Sequence, residues 1–256
     1  MEVIVASDSH EMANRAADIV QAFLVSTHSP ALGLATGASV QPLYRELVRR
    51  HREESLSFAA ARAFLLDEYV GLDPDHPQLY RNVVRTELGG QVDLRPAHLF
   101  SPDVCSAGLE EECARYDRTI SGARIGLQIL GIGRNGHLAF NEPDSAFDSR
   151  TRVVRLTATT RADNARFFDT PDEVPRRAVT QGLGTIMEAG HLMVMASGAA
   201  KAAPVLKALR GPVSESVPAS ILRTHPRVTL VLDSEAADAV VNCDGALMRS
   251  PTRQQP

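Results

Sequence analysis

Residues 127–143 read LQILGIGRNGHLAFNEP, and this stretch decides the fold prediction. Leu127–Leu130 is an apolar run without charge, typical of a buried strand, and glycines at 131, 133 and 136 then break it where the backbone must turn tightly. The polar residues Asn135, His137 and Glu142 follow the break. Because ligands of open α/β sheets bind beyond the carboxyl ends of the strands, we expect a binding site here.

The pairing of His137 with Glu142 suits proton transfer, because imidazole titrates near neutral pH and a carboxylate can orient it. The two residues flank an apolar Leu138–Phe140 segment and can meet only if the loop bends. Taken alone, the spacing favours a hydrogen-bonded loop histidine over a catalyst. A catalytic role therefore needs support from the rest of the chain.

Composition excludes several classes of protein. The chain has 256 residues and no Pro/Gly/Ser linker, which favours one domain over residues 1–256. The formal net charge of −4 and the scattered basic residues predict no binding to nucleic acid. The amino terminus lacks a basic segment followed by a long apolar one, and no apolar run approaches a membrane span. We therefore expect a cytoplasmic protein without a membrane partner.

The three cysteines predict neither a disulfide framework nor a metal site. Cys105, Cys113 and Cys243 are odd in number, show no CxxC spacing and have no nearby histidine cluster. Reduced thiols and no bound metal are expected.

Apolar segments alternate with amphipathic ones along the whole chain. Strands are predicted over residues 3–6, 32–35, 61–66, 127–130, 153–156, 192–196 and 228–232. Helices are predicted over residues 11–24, 40–50, 108–120, 160–168 with Thr159 or Thr160 as cap, 180–189 and 218–222, with a further helix starting at residues 197–201. Residues 250–256 are predicted to be a polar tail. This order predicts an α/β fold with a mainly parallel central sheet flanked by helices.

Two small-residue turns connect a strand to a helix and indicate anion binding. The first is Thr36-Gly37-Ala38-Ser39, and the second is Ser197–Lys201. Such turns present free backbone amides and a helix dipole to an anion. Lys201, in the first turn of its helix, opposes that dipole unless an anionic ligand is bound. Ser39 is equally suited to capping its helix, and no Walker Gly-Lys-Ser/Thr follows.

Asp67 is a candidate base, because the strand predicted over residues 61–66 runs directly into Asp67-Glu68-Tyr69. Neighbouring carboxylates face different ways, so at most one is expected in a site. Asp67 is the first polar side chain after the strand, which places it on the same sheet edge as His137. The alternative for either acid is a surface loop.

Residues 156–176 are a candidate active-site lid, since they follow the acidic motif closely and can fold over it. Within them, Arg166 precedes Phe167 and Phe168, which is also typical of a surface arginine over an apolar patch.

Taken together, six motifs resemble the glucosamine-6-phosphate deaminase (isomerase) family, in the same order and over nearly the whole chain. They are ATGAS (35–39), LLDEYVGL (65–72), GIGRNGHLAFNEP (131–143), SRTR (149–152), NARFF (164–168) and SGAAKA (197–202). The resemblance implies a single Rossmann-like α/β domain, without metal or nucleotide cofactor, that acts on an amino sugar phosphate. The implied reaction converts glucosamine 6-phosphate and water to fructose 6-phosphate and ammonia.

The resemblance also implies roles for individual residues. Asp67 matches the enolising base, and His137 matches the ring-opening group, with Glu142 and Asn135 from the same motif beside it. The matched phosphate ligands are Thr36, Gly37, Ala38, Ser39, Arg166 and Lys201.

The sequence departs from the family pattern at three places. Asn135 stands where many relatives carry Asp, and Ala38 replaces a second glycine of the phosphate turn. The effector site of members activated by N-acetylglucosamine 6-phosphate uses a serine pair and an Arg-x-Lys stretch. Here those positions read Ser145-Ala146 and Arg152-Val153-Val154, which predicts no such activation and gives no basis for a hexamer. A homo-oligomer of another kind stays open.

Three alternatives remain at this point. A 6-phosphogluconolactonase has a similar fold, phosphate turn and His loop, but continues that loop with a Thr-Ala-Ser-Leu-Phe type of sequence instead of LAFNEP. A non-enzymatic sugar-phosphate sensor needs an added helix-turn-helix segment, for which the chain has no spare length. A deaminase for the galactosamine epimer fits the same residues.

Overall fold

The computed structural model describes the backbone of residues 1–247 and the side chains of residues 1–241; the predicted polar tail and the Cys243 thiol lie outside them. Ten strands are present in this part of the chain. They are β1 (Glu2–Ala6), β2 (Ala31–Leu34), β3 (Arg62–Leu65), β4 (Asp67–Val70), β5 (Leu99–Phe100), β6 (Leu127–Gly131), β7 (Arg152–Arg155), β8 (Arg177–Thr180), β9 (Leu192–Ala196) and β10 (Val228–Asp233).

Seven of these strands form a central sheet in the order β1-β10-β9-β6-β2-β3-β5, and every pairing in it is parallel. Parallel strands covered by helices on both faces are buried and nearly continuous in apolar residues. β2, β9 and β10 are accordingly buried at every position. The predicted α/β fold with a mainly parallel central sheet is confirmed.

Eight α-helices flank the sheets in the described residues. They are α1 (Ser9–Ser26), α2 (Gln41–Glu54), α3 (Tyr80–Val84), α4 (Leu109–Ala123), α5 (Ala158–Asn164), α6 (Leu183–Ile186), α7 (Ala202–Arg210) and α8 (Ser234–Leu247). Short helical turns of other types include Arg85–Gly89, Ala165–Phe167 and Ala199–Lys201. Local sequence explains the helix starts: Asp8 accepts hydrogen bonds from the first backbone N–H groups of α1, and Pro42 lies in the first turn of α2.

A second, antiparallel sheet has the strand order β4-β8-β7. Only Leu66 separates β3 of the central sheet from β4 of this smaller one. The N–H of Leu66 donates to the carbonyl of Leu34 in β2 (3.1 Å), and its own carbonyl accepts from the N–H of Gln181 after β8 (2.8 Å). Leu66 is therefore bonded to both sheets.

The second sheet corrects the prediction of a helix over residues 180–189. Thr180 ends β8, and the helix is limited to α6, Leu183–Ile186. Gly182 packs so closely on neighbouring backbone that an added Cβ would lie 2.0 Å from the carbonyl oxygen of Ser149. Tertiary pairing with β4 and β7 thus overrides the helical spacing of the apolar residues.

The helix predicted over residues 160–168 is shorter and begins earlier than expected. The cap is Thr157, whose hydroxyl accepts the N–H of Thr160, in place of the predicted Thr159 or Thr160. α5 ends at Asn164, and the turn Ala165–Phe167 continues the chain.

Two further expectations can be compared with the described residues. Cys105 is exposed and Cys113 is buried, and both are free thiols. None of the helices described is both long and apolar enough to cross a membrane.

Candidate active site

A cavity of about 630 Å³ lies at the carboxyl ends of β2, β3, β6 and β9. Asp67 and His137 both open onto it. So do six residues predicted to bind phosphate, namely Thr36, Gly37, Ala38, Ser39, Arg166 and Lys201. Asn135 and Glu142 are not among the lining residues; instead they contact His137.

Asp67 is the first residue of β4 and is only 6% exposed. Burial raises its pKa well above the ordinary value, and the neighbouring charge of Glu68 adds to the effect. Glu68 does not line the cavity; its carboxylate accepts the backbone N–H groups of Tyr69 (2.9 Å), Tyr80 (2.8 Å) and Arg81 (2.9 Å). The two adjacent acids therefore face different surroundings, and Asp67 alone enters the cavity.

The loop that carries His137 bends sharply, as the sequence required for His137 to meet Glu142. Gly136 has a φ of 85° and Ala139 a φ of 52°, both in the left-handed region. Gly133 leaves room for the imidazole, because a Cβ there would lie 2.2 Å from Cε1 of His137. Any larger residue at position 133 would therefore clash with the imidazole of His137 in its observed position.

His137 and Glu142 are in contact, although without a hydrogen bond. His137 Nδ1 lies 3.7 Å from Oε2 of Glu142, beyond hydrogen-bond distance, and this buried nitrogen has no hydrogen-bond partner among the described residues. The contact is therefore electrostatic.

Glu142 is held as an anion by several donors. Its Oε2 accepts from Asn135 Nδ2 at 2.6 Å, and its Oε1 accepts from Thr157 at 3.1 Å and from the Thr160 hydroxyl. Burial by itself raises the pKa of Glu142, but the contacts with His137, Thr160 and Asn135 outweigh it and lower the pKa to about 2. Glu142 is consequently charged throughout the physiological pH range.

Asn135 links the two members of this pair. Its Oδ1 accepts the backbone N–H of His137 at 3.2 Å while its Nδ2 donates to Glu142. An ionised aspartate has no donor for the second bond. Asparagine at this position therefore fits the charged Glu142 of this chain.

Cationic side chains line another part of the cavity. Lys201 lies in the short turn before α7, and its Nζ donates to the carbonyl of Ile132 at 2.7 Å. Burial lowers the pKa of Lys201, and the positive charges of Arg134 and Arg166 lower it further. A bound anion would relieve the repulsion among these three cations.

The phosphate turn predicted from the sequence precedes α2. Gly37 has a φ of 118°, and its carbonyl accepts the N–H groups of Val40 (2.9 Å) and Gln41 (3.2 Å). The turn and the cations line the same cavity.

Several residues that line the cavity were not predicted from the sequence to belong to the site. They include Arg134, Tyr80, Thr160 and Asp163. Tyr80 packs its ring 4.8 Å from that of Tyr69 and donates its hydroxyl to Tyr69 at 3.2 Å. Tyr80 and α5 carry no local pattern that marks a site. Arg134 was a detectable signal, because it lies inside the GIGRNGH motif. Among the residues described, no three His, Cys, Asp or Glu side chains are grouped as metal ligands.

A parallel α/β sheet with a buried carboxyl, an imidazole and a cationic wall of Arg134, Arg166 and Lys201 at its strand ends fits an enzyme site for an anionic small molecule. The chain belongs to the family of glucosamine-6-phosphate isomerases/6-phosphogluconolactonases, whose model matches residues 6–231.

Individual relatives agree with this assignment. The glucosamine-6-phosphate deaminase of Rhodococcus opacus is 50% identical over 245 residues, which cover 95% of this chain and 94% of that protein. The enzyme of the same name from Mycolicibacterium smegmatis is 48% identical over 239 residues, covering 93% and 92%. The family resemblance inferred from the sequence is confirmed.

Two solved structures share this fold to different degrees. A monomeric glucosamine-6-phosphate deaminase superposes with a TM-score of 0.91 at 40% identity, covering 93% of this chain and 100% of that one. The 6-phosphogluconolactonase from Trypanosoma cruzi gives a TM-score of 0.72 at 18% identity, covering 93% and 96%. The second likeness shows the fold alone.

Proposed function

We propose that this chain is a glucosamine-6-phosphate deaminase, which converts glucosamine 6-phosphate and water to fructose 6-phosphate and ammonia. The observation that carries the proposal is that Asp67 and His137 open onto one cavity that Arg166 and Lys201 also line. The relatives named for this activity are similar over nearly the whole chain.

In this proposal the cationic wall holds the phosphate of the substrate. Arg166, Lys201 and the backbone of residues 36–39 supply charge and N–H donors, and α2 begins directly after the turn. Fixing the phosphate places the sugar between the two proton-transfer groups, which supplies much of the rate enhancement.

His137 opens the sugar ring. It takes the proton of the C1 hydroxyl and returns one to the ring oxygen, so the C1–O5 bond breaks and an aldehyde forms at C1. Glu142 and Asn135 hold the loop that presents the imidazole.

Asp67 then takes the proton from C2, the electron pair moves to the C1 carbonyl, and its oxygen takes up a proton from solvent to give an enol. Asp67 returns its proton to C1 while the nitrogen gives up a proton to solvent, which leaves a C2 imine; water adds to the imine, and the resulting carbinolamine expels ammonia to leave the ketone. The raised pKa of Asp67 suits this step, because a carboxylate that binds its proton more tightly is a stronger base. Each such proton transfer contributes about 10²- to 10⁴-fold in rate.

Residues 156–176 serve as an active-site lid in this proposal. α5 and the following turn bring Thr160, Asn164, Arg166 and Phe167 to the cavity wall, which supports the assignment. One domain over residues 1–256 and the cytoplasmic location stay predictions, and a homo-oligomer stays open.

The test is an assay of ammonia and fructose 6-phosphate release from glucosamine 6-phosphate. Galactosamine 6-phosphate and 6-phosphogluconolactone are run in parallel. We expect stoichiometric release of both products from glucosamine 6-phosphate and no hydrolysis of the lactone; ammonia release from galactosamine 6-phosphate reports activity on the epimer, whose ketose product differs at C4. Lactone hydrolysis without ammonia release would overturn the proposal in favour of the lactonase alternative.

A further inference from the structure

An ion pair between Arg134 and Asp163 connects the His137 loop to helix α5. Arg134 Nε donates to Oδ2 of Asp163 at 3.0 Å, and a terminal guanidinium nitrogen pairs with Oδ1. The two residues are 29 positions apart, and both line the cavity. Two-point contact between a guanidinium and a carboxylate fixes relative orientation as well as distance.

The pair is one of three contacts on a single face of α5 and its cap. Thr157, Thr160 and Asp163 are spaced three residues apart, so they project from the same side of the helix. The two threonine hydroxyls donate to Glu142. All three contacts therefore end on residues 134–142, the loop that also carries His137.

Arg166 lies close to this docking contact. It lies in the turn Ala165–Phe167, which starts directly after α5 ends at Asn164. Its guanidinium carbon lies 4.7 Å from the centre of the Phe167 ring, so the guanidinium packs on a residue of the same short turn. A shift of α5 would carry Arg166 with it.

Asp163 also balances charge at this part of the cavity. Arg134 and Arg166 both act on Lys201 strongly enough to lower its pKa, after the larger effect of burial. The carboxylate of Asp163 partly offsets the charge of Arg134 and holds this arginine at the helix α5 side of the cavity. Arg166 and Lys201 are the cations proposed to meet the anionic ligand.

We propose that Arg134 and Asp163 are a positioning pair, which docks α5 on the His137 loop and so sets Arg166 against the phosphate of the substrate. The assignment of that phosphate rests on the proposed function. The proposed mechanism gives neither residue of the pair a proton-transfer role, so we expect substrate binding and not the chemical step to depend on them.

The test is a double-mutant cycle with Arg134→Gln, Asp163→Asn and the combined variant. Two quantities are measured: the steady-state constants for glucosamine 6-phosphate, and the Kd of inorganic phosphate by calorimetry. The Arg134 side chain is 58% exposed and that of Asp163 28%, so the pair belongs with partly exposed ion pairs of modest strength. We expect each single variant to raise KM and the phosphate Kd about three- to fivefold, with kcat within about twofold of wild type.

Because both substitutions break the same contact, the combined variant is expected to bind no more weakly than either single one. Glu188→Gln is the matched control, since it removes a partly exposed pair with Arg150 outside the cavity and should change neither constant. Melting temperatures of all variants confirm that they are folded.

Three results would overturn the positioning pair. They are unchanged phosphate affinity in both single variants, additive losses in the combined one, or weaker binding in Arg134→Gln alone, which would make Arg134 a direct phosphate ligand. If the wild-type protein binds phosphate but does not turn over the amino sugar, the proposed function is wrong, whereas the positioning pair is not contradicted.

Discussion

Replacing Asp67 with Asn is expected to abolish catalysis and to stabilise the protein. Asn has nearly the same shape and cannot accept the C2 proton. We expect kcat for ammonia release to fall about 10²- to 10⁴-fold, the range of a general base, while KM stays within about tenfold. Exchange of the C2 hydrogen with deuterated solvent, followed by NMR, should be lost in parallel.

The stability gain follows from the environment of the carboxyl. Asp67 is 6% exposed, and burial and Glu68 raise its pKa in the folded protein. A raised folded-state pKa favours folding at pH values below the unfolded-state pKa, and this contribution is lost as pH rises through the folded value. Each pKa unit of increase corresponds to about 1.4 kcal/mol in the free energy of unfolding. In a chain of this size, about 1 kcal/mol shifts the melting temperature by roughly 2–4 °C.

The variant should therefore melt at least about 3 °C above wild type at neutral pH, and the difference should vanish near pH 4. Thermal scans from pH 4 to 8 measure it, with Asp75→Asn, an exposed acid, as the matched control. A variant that keeps more than about a tenth of the wild-type kcat would refute the role of Asp67. A melting difference independent of pH would refute the electrostatic argument.

Four further outcomes are expected. Gly133→Ala should lower kcat at least about tenfold without unfolding the protein, because the added methyl group displaces the His137 imidazole; unchanged kinetics would contradict the steric argument. Glu142→Gln should lower the melting temperature at neutral pH. Because folding lowers the pKa of Glu142 from 4.5 to about 2, the difference in melting temperature between wild type and variant should disappear as the pH of the thermal scans falls from 4.5 to about 2. Arg166→Gln and Lys201→Gln should each raise KM about tenfold or more and affect kcat less; the reverse pattern would exclude them as phosphate ligands. Adding N-acetylglucosamine 6-phosphate should leave the substrate saturation curve unchanged, and a steeper, left-shifted curve would contradict this.

Much of the central sheet could be predicted from the sequence, because parallel strands buried on both faces appear as short apolar runs. The strand predicted over residues 192–196 matches β9, and the one over residues 127–130 differs from β6 by one residue. Of the second sheet, only β7 was predicted, as a strand over residues 153–156; β4 and β8 were not. β8 has four residues, too few for a clear alternation, and it exists because β4 and β7 pair with it.

The part of the candidate site that lies near the ends of strands could be predicted from the local sequence pattern. Asp67, His137 and the small turns lie within six residues of the ends of strands of the central sheet, so topology indicates a common edge. The contributions of α5 depend on how a short helix docks on a distant loop. Thr160 reaches Glu142 across 18 positions, and no local spacing records that contact.

The bonding of Leu66 to both sheets has a consequence for how such enzymes can diverge. Asp67 follows this residue and so is fixed by the framework itself, whereas Arg166 is carried by a short turn after α5. Mutations confined to the turn Ala165–Phe167 are expected to retune the preferred ligand while leaving the acid–base chemistry intact, because Thr157 and Thr160, which hold Glu142 beside His137, lie outside it. Directed evolution toward other phosphorylated sugars should begin with that segment.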